Sequence, residues 1–246
     1  MKFTDDDILN ILNATGYLSI NAISARLAAT PSTVRRRIAA LEKDGLVVRT
    51  HGGAKIANGK TDSSFVFRVH TNAFEKKLIA LKAIKLISSG ATVFLDSSTT
   101  TYFMSDYLSE FPNLKVITNG IDTLANLSAK GVNVYSTGGA VYKSNPSTLV
   151  GDVAVKAINS FHADFAFLSC SSVTEKGVLY DVFDEENVIR REMMKNADKS
   201  VLLLDGSKFN RTDTFKLCSI NEFYAAVFDR DVSKIFDPSV SVKLIY

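Results

Sequence analysis

Three short runs of small polar residues recur in the middle of the chain: Asp96-Ser97-Ser98-Thr99-Thr100-Thr101, Thr118-Asn119-Gly120 and Thr137-Gly138-Gly139. Each follows an apolar, strand-like run. Hydroxyls and backbone N–H groups gathered at such points donate to anions, and where the run enters a helix the dipole favours negative charge as well. One such run alone is more often a plain helix cap. Three at consecutive strand ends point to a ligand that carries phosphate, with contacts from Asp96 to Thr101, Thr118, Asn119, Gly138 and Gly139. Lys208, in Asp205-Gly206-Ser207-Lys208-Phe209 behind a further strand, either supplies a cation to a phosphate or sugar hydroxyl or is a solvated loop lysine. A different chemistry is written near the start. Within Thr30 to Lys43, TPSTVRRRIAALEK, three arginines stand together. Arginine presents a planar fork to guanine edges and phosphates, and Ser32 and Thr33 near a helix start can bond phosphate or base edges.

These residues need elements to position them. Thr30 suits a helix cap and Pro31 the first helical position. Val34, Ile38 and Leu41 then form an apolar stripe, leaving Ser32, Arg35, Arg36, Ala39 and Lys43 on the other side. Two helices precede it: Asp5 to Ala14, with Ile8, Ile11 and Leu12 inward and Gly16 as its stop, and a short one capped by Ser19. After Gly45, the runs Leu46 to Arg49 and Ala54 to Ile56 around His51-Gly52-Gly53 read as a β-wing that places Arg49, His51 and Lys55 near neighbouring phosphates. Residues 1–57 thus read as a winged helix-turn-helix, all-α in class, for double-stranded DNA, and 58–73 as a linker. Residues 74–246 read as an α/β domain. Strand-like runs at Thr92 to Leu95, Leu114 to Thr118, Val132 to Ser136, Asp164 to Ser169 and Ser200 to Leu204 alternate with helical patterns at Tyr102 to Leu108, Ile121 to Ala129 and Val188 to Asn196, the mark of a mostly parallel sheet.

Composition narrows the field. The formal charge is +3 over 246 residues, and the basic excess lies entirely within the first 57 residues; beyond Ala57 acids and bases balance, as expected if one quarter of the chain meets nucleic acid. Cys170 and Cys218 have no partner at short spacing, and His51, His70 and His162 lack ligand spacing, so neither a disulfide framework nor a metal or other cofactor is expected. The first residues, MKFTDDDIL, are acidic where a signal peptide is basic, and no apolar run reaches the roughly 20 residues of a membrane span. A cytoplasmic protein is expected.

The stretch TVRRRIAALEKDGLVVRTHGGA resembles the recognition helix and wing of the DeoR family of bacterial transcriptional regulators, matching its pattern at Thr33, Arg35, Arg36, Leu41, Glu42, Gly45, Arg49 and His51 to Ala54. FEKKLIA, VFLDSSTTT, VITNG, STGG, LVGD and LLLDGSKF resemble the family's effector domain, whose fold is similar to ribose-5-phosphate isomerase. The resemblance implies a repressor of a carbohydrate-use operon that binds operator DNA as a dimer or higher homo-oligomer under control of a phosphorylated sugar or sugar alcohol. Three positions depart from the pattern. Arg37 replaces the family's aspartate, either removing an ion pair within the module or adding a phosphate contact. Ser98 replaces a glycine, so that its Cβ would crowd the phosphate or demand a different φ. Ser169-Cys170-Ser171-Ser172 occupies a stretch that carries acid/base aspartates in the isomerases, which disfavours catalysis. The acidic group Asp181, Asp184, Glu185 and Glu186 reads as a solvated helix start. An isomerase-like enzyme with a DNA-binding appendage, and a regulator with a decayed effector site, remain as alternatives.

Overall fold

The computed structural model describes residues 3–57, 65–209 and 211–246, which divide into two compact units, Met1–Ala73 and Phe74–Tyr246. In the first, Thr4 and Asp7 form a capping box at the start of α1 (Asp5–Thr15), and Gly16, at φ 73°, ends it. β1 (Tyr17–Ser19) follows, and Ser19 caps α2 (Ile20–Arg26). Thr30 caps α3 (Pro31–Lys43), which has Pro31 in its first turn. Val34, Ile38 and Leu41 are buried against Ile8, Leu12 and Ile23, so the apolar stripe read from the sequence is the core of this unit.

β2 (Val47–Thr50) and β3 (Gly53–Ile56) make the wing, and β1 joins them in the order β1-β3-β2. The unit therefore carries a three-stranded sheet and is not all-α. The close pairing of β1 with β3 requires glycine at 53: a Cβ there would lie 2.3 Å from the Leu18 carbonyl oxygen. The expected linker is corrected in part. Residues 58–64 lie outside the described residues, but Phe65–His70 forms α4, and Phe67 is fully buried in the first unit's core.

The second unit begins with α5 (Ala73–Ala83). Its sheet is built from β4 (Thr92–Leu95), β5 (Lys115–Thr118), β6 (Asn133–Ser136), β9 (Ala163–Leu168), β12 (Ala197–Leu204), β14 (Ala225–Phe228) and β15 (Lys243–Ile245). The strand order is β15-β14-β12-β9-β4-β5-β6. All of its pairings are parallel. Strands of such a sheet are covered on both faces, which is why Ala166 to Leu168 and Val201 to Leu204 are continuous buried runs. Crossovers run through α6 (Thr99–Tyr102), α7 (Ile121–Ala129), α8 (Asp152–Ile158) and α9 (Asp184–Lys195). The helix expected from Tyr102 to Leu108 is instead the end of α6 followed by 3-10 turns, where Ser105 Oγ donates to the Tyr102 carbonyl oxygen at 2.5 Å.

Two small antiparallel pieces complete the unit. β7 (Ala140–Val141) pairs with β8 (Leu149–Val150), while β10 (Ser172–Val173), β11 (Val178–Asp181) and β13 (Phe215–Ser219) form a three-stranded sheet. The chain fills the parallel sheet outward from β4 through β5 to β6, then returns to the other side of β4 with β9. The strand order therefore reverses between β4 and β9, the crevice where open α/β sheets bind ligands. Among the described residues no helix is long and apolar enough to cross a membrane.

Candidate nucleic-acid interface and anion site

On α3, Ser32, Arg35, Arg36 and Lys43 are exposed, and Thr33 is half-buried with its hydroxyl 2.9 Å from that of Thr30. Among the described residues neither Arg35 nor Arg36 has an ion-pair partner, so their guanidinium groups face solvent. Arg37 does not join them. Its Nη1 sits 3.0 Å from Asp5 Oδ1 and its guanidinium lies 5.9 Å from the centroid of the Phe3 ring. The charge reversal at this position thus makes an ion pair within the module, because Arg37 lies on the side of α3 that faces α1. In the wing, His51 is exposed and Lys55 half-buried. Arg49 is anchored: its backbone N–H donates to Glu42 at 3.1 Å and its Nε lies 2.5 Å from the other carboxylate oxygen. Those bonds, the backbone one foremost, hold the Glu42 carboxyl below its ordinary pKa.

In the second unit the ends of β6, β5, β4, β9 and β12 stand side by side, which brings Thr137 to Gly139, Thr118 to Gly120, Asp96 to Thr101, Ser169 to Ser171 and Asp205 to Lys208 to one edge of the sheet. Ser98 caps α6 by accepting from Thr101 N at 3.2 Å. The N–H groups of Thr99 and Thr100 then occupy the first turn, where no intrahelical acceptor exists. Ser98 sits at φ −73° and ψ 153°, extended backbone that any residue adopts, so serine demands no special conformation here. Ser97, Thr99, Thr100 and Thr101 are buried. Thr118 accepts from Gly120 N at 3.0 Å and shapes the second loop, next to the buried Asn119. Gly138 and Gly139 hold φ of 60° and 104°, and a Cβ on Gly139 would meet the Val150 carbonyl oxygen at 2.5 Å.

Asp96, expected among the anion contacts, works as an internal brace. Its Oδ1 accepts from Ser98 N at 3.1 Å and lies 3.0 Å from Thr101 Oγ1. Its Oδ2 accepts from Ser169 N at 3.0 Å and from Arg190 Nε at 2.9 Å. A carboxylate that accepts from the backbone of its own loop, from Ser169 and from Arg190 fixes the course of that loop, and its charge would repel a phosphate. Arg190 also binds Asp181 at 3.0 Å and Glu186 at 3.0 Å, and all four side chains are buried. Burial opposes its charge, yet the three carboxylates outweigh that and raise its pKa. The solvated reading of the acidic group therefore fails for Asp181 and Glu186; only Asp184 and Glu185 are exposed.

Lys208 is half-buried at the end of β12, close enough to Asp205 and Cys170 for its charge to act on both. Burial pushes the Asp205 carboxyl up, and Lys208, the Ser207 donors and Lys76 together outweigh it and hold the group below its ordinary value. Burial raises Cys170 well above the usual thiol range, so it stays protonated. Lys76, 3% exposed, was not singled out from the sequence. The signal was its spacing. Lys76, Ile79, Ala80 and Ala83 form the buried face of α5, so a lysine holds a core position. Arg190 sits likewise among Glu186, Ile189 and Met193 on the buried face of α9.

Comparison with known proteins decides the family. The model for the DeoR C terminal sensor domain matches residues 71–230, and that for the DeoR-like helix-turn-helix domain matches residues 5–60. The chain belongs to the DeoR family. This DeoR-family chain is 31% identical over 232 residues to a putative aga operon transcriptional repressor of Escherichia coli O157:H7, covering 92% of this chain and 86% of the other. It is 30% identical over 237 residues to the L-fucose operon activator of Haemophilus influenzae, covering 94% and 93%. Among solved structures, ribose 5-phosphate isomerase A of Methanocaldococcus jannaschii aligns with 56% of this chain and 55% of its own at 17% identity and a TM-score of 0.43, too slight a likeness to bear on activity. The DeoR-family chain is a transcriptional regulator with a DNA-binding unit and a sensor unit, not an enzyme.

Proposed function

We propose that this regulator controls a carbohydrate-use operon, as a repressor, and that a phosphorylated sugar or sugar alcohol sets its affinity for operator DNA. The observation that carries the reading is the pairing of an acid-free arginine face on α3 with an anion-ready loop at the β4/β9 switch point. Arg35 and Arg36 read base edges, Ser32, Thr33 and Lys43 meet phosphates, and Arg49, His51 and Lys55 reach the flanking backbone from the wing. The effector's phosphate lies against Ser98 and the first-turn N–H groups of Thr99 and Thr100, with Lys208 and Lys76 supplying positive charge. The protein acts in the cytoplasm and binds operator DNA as a dimer or higher homo-oligomer, since a two-fold assembly of helix-turn-helix units suits palindromic half-sites. Effector binding shifts the DNA-bound population by a coupling of about 1 to 3 kcal/mol.

The test is thermal unfolding of the full chain against sugar and sugar-alcohol phosphates, each beside its unphosphorylated parent. A compound at a hundred times its dissociation constant stabilises by about 2.7 kcal/mol. A shift with the phosphate ester and none with the parent is the expected result, and the active compound should then alter protection of the chain's own upstream DNA in a footprint. Equal shifts from ester and parent would remove the anion site from the account.

A further inference from the structure

Beside the anion loop lie four side-chain oxygens with no hydrogen-bond partner among the described residues: Asn119 Oδ1, Thr123 Oγ1, Asn145 Oδ1 and Thr148 Oγ1. Their residues are exposed by 1%, 0%, 1% and 0%. Buried polar atoms are nearly always bonded, so a group of four in one neighbourhood asks for a reason. The backbone places them together. Asn119 O accepts from Leu149 N at 2.8 Å, Asn119 Nδ2 donates to the Leu149 carbonyl at 3.1 Å, and Gly120 bridges Thr148. Thr148 N donates to the Asn145 carbonyl at 3.0 Å, so both residues belong to one turn. A Cβ on Gly120 would lie 3.1 Å from both Thr123 Oγ1 and Ser97 Cα, which sets this group against the anion loop.

The chemistry these atoms demand can be read from the bonds their residues already make. Asn119 gives its amide N–H to a carbonyl, and Asn145 gives its own to the Glu186 carboxylate at 2.8 Å. Both partners accept only, which fixes the two amides and leaves their carbonyl oxygens as the unsatisfied atoms. A carbonyl oxygen needs a donor. A phosphate dianion has none, so these oxygens are not part of the phosphate cradle. The two threonine hydroxyls both donate and accept, and a group that does the same satisfies all four. Water is one such group, and on a phosphorylated ligand the group is the alcohol hydroxyl.

We propose that these four oxygens form a hydroxyl-reading subsite for a polyol phosphate, adjoining the loop assigned to its phosphate; the inference rests on that assignment. No solvent reaches the four atoms, so the turn between β7 and β8 lifts for a ligand to enter and recloses on its hydroxyls. Asn145 ties the turn through Glu186 and Arg190 to Asp96, so the closed turn and the anion loop share one buried network.

The experiment is calorimetric titration of the full chain with inorganic phosphate and with a series of straight-chain polyol phosphates. Thr148→Val keeps the shape and removes one hydroxyl. It should lower the affinity for the best polyol phosphate by about tenfold relative to inorganic phosphate, the effect of one lost hydrogen bond, while the unliganded melting temperature holds or rises. Thr123→Val serves as a second variant of the same kind. An unchanged affinity ratio in both, or no polyol phosphate binding wild type more tightly than inorganic phosphate, overturns the subsite. Lys208→Ala separates the underlying assignment. It should weaken inorganic phosphate and polyol phosphate alike, and binding of both at wild-type strength would refute the anion site while leaving the hydroxyl test to be judged by Thr148→Val.

Discussion

Adjacent arginines on one helix do different work. Arg36 faces solvent and Arg37 faces Asp5, although the sequence places them in one run. Arg36→Ala should cost about 1 to 3 kcal/mol in binding to selected operator DNA, the range for a bidentate base contact. Arg37→Ala should leave base preference intact and lower stability by under about 1 kcal/mol, since its ion pair is half-exposed. Footprinting and denaturation of the two variants check this; if Arg37→Ala alters base preference, the face is wrongly drawn. Arg190 is a heavier commitment, because its removal leaves three buried carboxylates facing one another. Arg190→Met is expected to destabilise the sensor unit by about 3 to 5 kcal/mol in chemical denaturation. A loss below about 1 kcal/mol would mean that the network does not hold the loop. Spacing alone puts Lys76 and Arg190 on the buried faces of their helices, but their roles were not legible, because the groups that hold those charges lie far away in sequence.

At the scale of elements, local chemistry made the helices readable. The caps Ser19 and Thr30, the stop at Gly16 and the Val34, Ile38, Leu41 stripe are decided within a few residues, and each stands where it was expected. The strand-end loops were also readable, because buried parallel strands end where small polar residues begin. β1, β14 and β15 were not, for they are short and exist by pairing with partners far along the chain. Gly53 belongs to this class: its role comes from Leu18 across the sheet. Gly53→Ala should displace β1, lowering the stability of the first unit by about 1 to 3 kcal/mol and weakening DNA binding with it. Gly52→Asn is the control. Its φ of 80° lies in a region asparagine tolerates and nothing stands within 4 Å of its Cβ direction, so melting should barely change.

Taken whole, the sensor unit concentrates its chemistry at one edge of the sheet, and its stability should depend on the ionisation held there. The Asp205 carboxyl lies below its ordinary value in the folded chain. Its contribution is therefore complete at neutral pH and is lost as the pH falls through the folded value, below about 4. Asp205→Asn should be less stable than wild type at neutral pH and should close that gap on acidification, read from melting temperatures of the sensor unit between neutral pH and about pH 3. A gap that stays constant with pH would assign the loss to packing. The bracing of the loop from behind has a further consequence. Asp96 and Arg190 hold the path of the loop from behind, so side chains proposed to meet the ligand can be varied while the backbone keeps its course. Libraries that randomise Ser97, Thr99, Thr100, Thr123 and Thr148, and leave Ser98, Asn145 and the buried ions alone, would make this molecule a chassis for biosensors against new metabolites.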